Sequence, residues 1–191
     1  MSEIDKSIQE LKLVFKIGNK NAEKLFSELV KNPNLIDEIS NKLKEIKNKY
    51  SNCKICFYLT INNVCQICED PTRDNSKICV VNNVFDAMNI NKLKIYNGLF
   101  HILNGEIDLN KNITPDKIKI NELFSRINNN SKEVIIATSA TFSGEITSQY
   151  IKNMLHNKNI KISRLARGIP QGGSLEYIDD TTLKSALKNR N

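Results

Sequence analysis

Cys53-Lys-Ile-Cys56, then eight residues, then Cys65-Gln-Ile-Cys68 is the stretch that decides how this chain folds. Four of its 5 cysteines lie in it, as two C-x-x-C pairs. The two-residue gap lets both thiolates of a pair face one centre. Two such pairs supply the tetrahedral shell that zinc takes, with each sulfur about 2.3 Å from the ion. A closed four-cysteine shell leaves no position for water, so one structural Zn2+ per chain is expected, held by Cys53, Cys56, Cys65 and Cys68. Two redox dithiols or a pair of disulfides are the competing readings, and the closeness of the two pairs favours zinc.

Outward from that stretch, composition bounds the rest. The chain has 191 residues, 40% of them apolar, enough for one medium domain with small satellites and a real core. No apolar run is long enough for a membrane span, and the charged start Met1-Ser-Glu-Ile-Asp5 has no apolar leader segment. A cytoplasmic protein without membrane attachment is therefore expected, a compartment where closely spaced thiols stay reduced. The net charge of +7 is diffuse: residues 77–165 carry 12 basic against 7 acidic side chains, and residues 53–76 carry 2 against 3. Such a balance suits a polyanionic partner without establishing one. It also places any phosphate grip outside the cysteine stretch.

Before the cysteines the pattern is helical. Ile4, Ile8, Leu11 and Phe15 predict an amphipathic helix over residues 3–15, followed by a turn at Ile17-Gly18-Asn19. Ala22, Leu25, Phe26, Leu29 and Val30 mark a second helix, closed by Pro33, and Leu35, Ile36, Ile39, Leu43 and Ile46 a third. On the second, Lys20, Lys24 and Lys31 fall within about 40° of one another at helical spacing, opposite the apolar stripe. A helix start beside a glycine turn, with lysines adjacent, suits a phosphate. An ordinary solvated face fits the same residues, and Glu23 and Glu28 nearby keep that alternative open.

After the cysteines, strands alternate with helices, which predicts a parallel α/β sheet. The strands are Lys77 to Val81, Gly98 to Leu103, Val134 to Ala137 and Ile160 to Leu165; Thr114-Pro115 and Ser143 are expected to open helices. Cys79 reads as a buried packing residue, and His101 and His156 as structural. Ligands of such sheets bind beyond the carboxyl ends of the strands, here near Asn82, Asn83 and Asp86 and near Ser139, Thr141, Ser143 and Glu145. Two-metal phosphoryl transfer needs several converging carboxylates. Only Asp86 and Glu145 are found in these turns, and Glu145 also complements its helix dipole. No P-loop is present. The string Ala166-Arg-Gly-Ile-Pro-Gln-Gly-Gly173 is a long turn signal before a last helix from Asp180.

The helical hairpin, the cysteine spacing, Ile78-Cys79-Val80-Val81, Ala137-Thr138, Gly144-Glu145 and the string Ala166 to Tyr177 together resemble the bacterial RecR family of recombination mediators along essentially the whole chain. The resemblance implies a multidomain α+β architecture: a helix-hairpin-helix over residues 1–52, a four-cysteine zinc finger over 53–76, a Toprim domain with a parallel sheet over 77–165, and a C-terminal segment over 166–191. It implies a non-enzymatic DNA clamp of recombinational repair, a ring-like homotetramer working with RecO and RecF to load recombinase on gapped double-stranded DNA. By position, Gly18, Lys20 and Lys24 match the family's DNA-contacting residues, and Asp86 and Glu145 retain the acidic character of its partner-docking cluster, where Asn82 and Ser143 do not. Ser139-Ala-Thr141 stands where catalytic Toprim enzymes carry D-x-D, which weakens the alternative of a Toprim-type metal-dependent nuclease or topoisomerase-related enzyme. Val14-Phe-Lys-Ile-Gly18 departs from the family's usual Leu-Pro-Gly-Ile-Gly, and the loss of that proline and first glycine is expected to loosen the turn, while Lys16 adds a charge beside it.

Overall fold

A computed structural model of the chain describes residues 2–188 except Arg167 and Pro170, so those two members of the predicted long turn lie outside the described residues. The chain divides into two compact units, residues 1–50 and 51–191.

The first unit holds α1 (Glu3–Phe15), α2 (Asn19–Lys31) and α3 (Pro33–Lys49). Ser2 starts α1 with a capping box: its hydroxyl accepts the Asp5 N–H at 3.1 Å, and the Asp5 carboxylate accepts the Ser2 N–H at 2.9 Å. Pro33 both stops α2 and opens α3, because at the first helical position its missing N–H goes unneeded. The turn between α1 and α2 is tied by the Gln9 amide donating to Asn19 Oδ1 at 3.3 Å. Its strained residue is Lys16, at φ 53° and ψ 42°, whereas Gly18 sits at φ −70° with open space where a Cβ would go. The left-handed position thus falls where the RecR pattern has its first glycine.

Ala22 is the only fully buried residue of this unit among those described. Leu13 (73% exposed), Val14 (75%) and Val30 (65%) stay largely in water. Leu11, Val14, Phe26, Leu29, Val30 and Ile36 line an apolar groove of about 390 Å³. A unit of this size with one buried residue has too little core for its own stability.

The second unit begins with β1 (Ser51–Asn52) and β2 (Leu59–Thr60), an antiparallel pair flanking Cys53 and Cys56, and α4 (Gln66–Glu69), which starts just after Cys65. Then come β3 (Asp74–Val81), α5 (Val84–Lys92), β4 (Gly98–Ile102), α6 (Ile120–Arg126), β5 (Glu133–Ala137), α7 (Phe142–Leu155), β6 (Lys161–Arg164) and α8 (Asp180–Lys188). The sheet is parallel throughout, in the order β4-β3-β5-β6, with Val81 level with Ile102 on one side and Ala137 on the other. Alternation along β3 splits the core in two. Ile78 and Val80 pack with Leu123, Ile151 and Leu155, whereas Cys79 and Val81 pack with Ala87, Phe100 and the buried cysteines. Burial pushes the Cys79 thiol up to about 12, as befits a packing residue.

Two helix starts differ from expectation. Thr114-Pro115 opens only a 3-10 turn, Pro115–Lys117, because the chain is then pulled to the core: Ile118 is 3% exposed and the Lys119 N–H donates to the Leu103 carbonyl at 2.8 Å. The cap of α7 is Thr141 rather than Ser143, its hydroxyl accepting the Gly144 N–H at 3.1 Å. His101 is structural as predicted: burial lowers it to about 4, and its neutral ring donates from Nε2 to the Lys119 carbonyl at 2.6 Å.

The left-handed turn gives a direct stability test. Lys16→Gly removes a conformational cost of about 1–2 kcal/mol and adds about 0.5–1 kcal/mol of unfolded-state entropy. A net gain of roughly 0.5–1 kcal/mol is expected in urea unfolding of the whole chain; an unchanged or lower midpoint would show that Lys16 carries no strain.

Candidate functional site

Three groups of residues carry chemistry. In the first, the fold brings Cys53, Cys56, Cys65 and Cys68 together, with one sulfur from each within 4.8 Å of all the others. Tetrahedral zinc with sulfurs at about 2.3 Å places them about 3.8 Å apart; Cys56 and Cys65 are 3.4 Å apart. The backbone N–H groups of Ile55 and Cys65 each donate to Cys53 Sγ at 3.4 Å, the outer-shell bonds that anionic sulfur requires. Hydrogen bonding with Cys56 and Cys68 holds Cys65 well below the usual thiol range, while the same contacts push Cys56 up. A cluster of four thiols shares protons in this way until a cation replaces them, so the donor set fits a metal ion. The knuckle is seated on the sheet: the Ile102 N–H donates to the Cys56 carbonyl at 2.9 Å, and the Phe57 ring stands edge-on to His101 at 5.5 Å.

The second group is the start of α2. Gly18 is its N-cap without a side-chain cap, and among the described residues the N–H groups of Gly18, Asn19 and Lys20 meet no protein acceptor. Lys20, Lys24 and Lys31 are all exposed, and none forms an ion pair among the described residues. The Glu23 carboxylate, the nearest acid in sequence, accepts the Asn19 amide at 2.8 Å. Free donors, dipole and lysines thus coincide at one helix end.

The third group is the crevice beyond the carboxyl ends of β3 and β5. Here the sequence reading missed a carboxylate. Glu106, on the loop after β4, accepts the Asn82 amide at 2.6 Å and the Ser139 N–H at 3.1 Å on Oε1, and the Thr141 hydroxyl at 3.1 Å on Oε2. Asn82 also donates to Ser139 Oγ at 2.7 Å. Glu106 follows the second predicted strand, outside the two turns read as ligand sites, so only the tertiary fold brings it to the crevice; the signal in sequence is a lone acid in a Gly105-Glu-Ile loop. Asp86, three residues after Asn83, accepts the Asn83 amide at 2.8 Å. Burial lifts Asp86 above the usual carboxylate range, against the hydrogen bond from Asn83 and helped by the charge of Glu106. Glu145 lies elsewhere in the network, both its oxygens gripped by Arg164 at 2.7 and 2.8 Å.

This donor set does not suit a divalent cation. Hard cations take several carboxylate oxygens at once, and here Glu106 is spent on three neutral donors and Glu145 on a guanidinium. Asn82 turns its amide nitrogen, a donor, toward Glu106.

Comparison with known proteins follows these features. Residues 76–166 match the model of the Toprim domain, and residues 168–191 that of the RecR C-terminal region. The chain is 38% identical over 188 residues to a Recombination protein RecR from Clostridium perfringens, covering 98% of this chain and 95% of that one. It is 39% identical over 189 residues to a protein of that name from Dehalococcoides mccartyi, with 98% and 93% covered. It is 40% identical over 194 residues to one from Phytoplasma mali, with 98% and 94% covered.

Close packing at the crevice gives its own test. A Cβ on Gly144 would overlap the Ser139 carbonyl oxygen and lie 2.7 Å from Glu106 Oε1. Gly144→Ala is expected to cost about 1–3 kcal/mol in chemical unfolding; a variant as stable as the parent would mean that the crevice is looser than described.

Proposed function

The chain belongs to the RecR family of recombination proteins, and we propose that it acts as a non-enzymatic DNA clamp in recombinational repair, gripping duplex and gapped DNA through phosphates. The observation that carries this reading is the start of α2, where unpartnered N–H groups, the helix dipole and the exposed Lys20 and Lys24 meet. Phosphate contacts position a protein without reading base sequence, which suits a factor that acts wherever a gap occurs. We assign Gly18, Lys20 and Lys24 to that grip, and Lys16 adds a charge beside it.

We further propose that the clamp closes as a ring-like tetramer through paired N-terminal and paired C-terminal contacts. The apolar groove of the first unit supports the first contact, and exposed Leu175 (64%), Tyr177 (84%) and Leu187 (59%) support the second. RecO and RecF are its proposed partners in the cytoplasm, with Asp86 and Glu145 at the docking surface. No described helix is long and apolar enough to cross a membrane. We assign zinc to the four thiolates, since soft sulfur ligands in a closed tetrahedral set select it. When bound, that ion cross-links the knuckle and performs no reaction.

Two measurements bear on this. Binding of duplex DNA is expected to weaken with salt by about 0.9 log unit per log unit for each phosphate neutralised. The double change Lys20→Ala, Lys24→Ala should flatten that slope, with assembly unchanged by light scattering; an unaltered slope and affinity would remove α2 from the interface. Metal analysis of protein purified without chelator should return about one zinc per chain, lost in Cys65→Ser. Zinc at trace levels in the parent would refute the assignment.

A further inference from the structure

The carboxyl end of the sheet carries an apolar pair that the core does not use. Phe85, the second residue of α5, is 68% exposed, and Phe142, the first residue of α7, is 78% exposed. Two phenyl rings left in water at helix starts forgo the burial that stabilises the rest of the unit. They are not scattered. Asp86 follows Phe85, Thr141 precedes Phe142, and Glu106 joins the two by accepting the Thr141 hydroxyl at 3.1 Å and by acting through its charge on Asp86. The rings and the two carboxylates therefore gather at the carboxyl ends of the neighbouring parallel strands β3 and β5.

Those carboxylates lack cations. Asp86 accepts from the Asn83 amide, and Glu106 from Asn82, Ser139 and Thr141, all neutral; no Lys or Arg pairs with either among the described residues. In the same network Asn82 Oδ1 is buried and meets no donor. Such a group costs stability until a donor reaches it. A surface with two acids that meet no cation, an orphaned acceptor and exposed aromatic rings at the same sheet end repels phosphate. It complements a cationic side chain carried between apolar ones, the arrangement in which aromatic rings at an interface contribute most.

We propose that Phe85 and Phe142, together with Asp86 and Glu106 at the same end of the sheet, form a docking surface for a polypeptide segment that presents an arginine or lysine flanked by apolar side chains. This rests on the reading of Asp86 as a partner-docking residue and adds the apolar anchors and the chemistry of the partner. The cationic head enters between the carboxylates, and its flanking side chains cover the two rings.

The test uses the full-length protein and labelled short peptides with a central Arg between Leu residues, against the same peptides with central Glu or with Ser flanks. Fluorescence anisotropy at fixed ionic strength reads peptide binding, a labelled duplex reads DNA binding, and light scattering reads assembly. The Leu-flanked Arg peptide is expected to bind at least about tenfold tighter than either control. Phe85→Ser, Phe142→Ser and Asp86→Asn should each weaken it severalfold while DNA affinity and oligomeric mass stay at parental values. Both rings are exposed, so thermal melts of the serine variants should match the parent. Peptides bound equally, or not at all, overturn the proposal. If Asp86→Asn weakens binding and the serine variants do not, docking at Asp86 stands and the apolar anchors fall; if none of the three matters, both fall. Loss of DNA binding or of oligomeric mass in the serine variants would instead give the surface to nucleic acid or to a second copy of this chain, and would equally overturn it.

Discussion

The hydrogen bond from the Ile102 N–H to the Cys56 carbonyl, 2.9 Å long, fastens the cysteine knuckle to the edge strand of the sheet, and much of the second unit depends on that seat. The face of β3 that carries Cys79 and Val81 is covered by α5 and by Cys53, Cys56, Cys65 and Ile67, so the knuckle is half of a core rather than an appendage. Its own strands are two residues each, far too short to persist alone. What keeps them in place is the four-sulfur cluster, and four sulfurs this close need a cation to be held as thiolates. A metal bound there would act on the parallel sheet at one remove, through the apolar layer that the knuckle closes.

With the sheet fixed, function separates by location. The crevice beyond the carboxyl ends of β3 and β5 has turned inward on itself: Asn82, Ser139 and Thr141 spend their donors on Glu106, and Arg164 holds Glu145. Beside it the rings of Phe85 and Phe142 stay exposed and Asp86 half-buried, the surface proposed above for recognition. The proposed phosphate grip lies in the first unit, where a turn without glycine at its strained residue still presents the start of α2 with its lysines. Among the described residues that unit buries Ala22 alone and carries an apolar groove, which is where the proposed assembly would supply what its own core lacks.

Much of this was legible in the residues. The cysteine spacing foretold the cluster because two C-x-x-C pairs admit few geometries, and the continuous apolar runs at 77–81 and 134–137 foretold buried parallel strands because both faces of such strands are covered. The helical stripes of residues 3–46 were equally plain. What escaped was set by tertiary contact. Thr114-Pro115 has every local mark of a helix start, yet Ile118 is drawn into the core and the helix waits for Ile120. Thr141 outcompetes Ser143 as cap because Glu106 fixes its hydroxyl from a loop more than thirty residues away. Glu106 carries no local signal beyond being a lone acid in a loop: its role exists only once β3, β5 and the loop after β4 converge. Gly18 invited the assumption that glycine makes the turn, and backbone angles alone assign that strain to Lys16.

The central claim, that a metal bound by the four cysteines holds the knuckle and through it one face of the sheet, is tested most directly by hydrogen–deuterium exchange of the full chain before and after metal removal. The account predicts that amides of residues 51–69 lose protection together with those of β4, above all Ile102, while residues on the α7 face, Ile151 and Leu155, stay protected. Full protection of Ile102 after proven removal of the metal would contradict it.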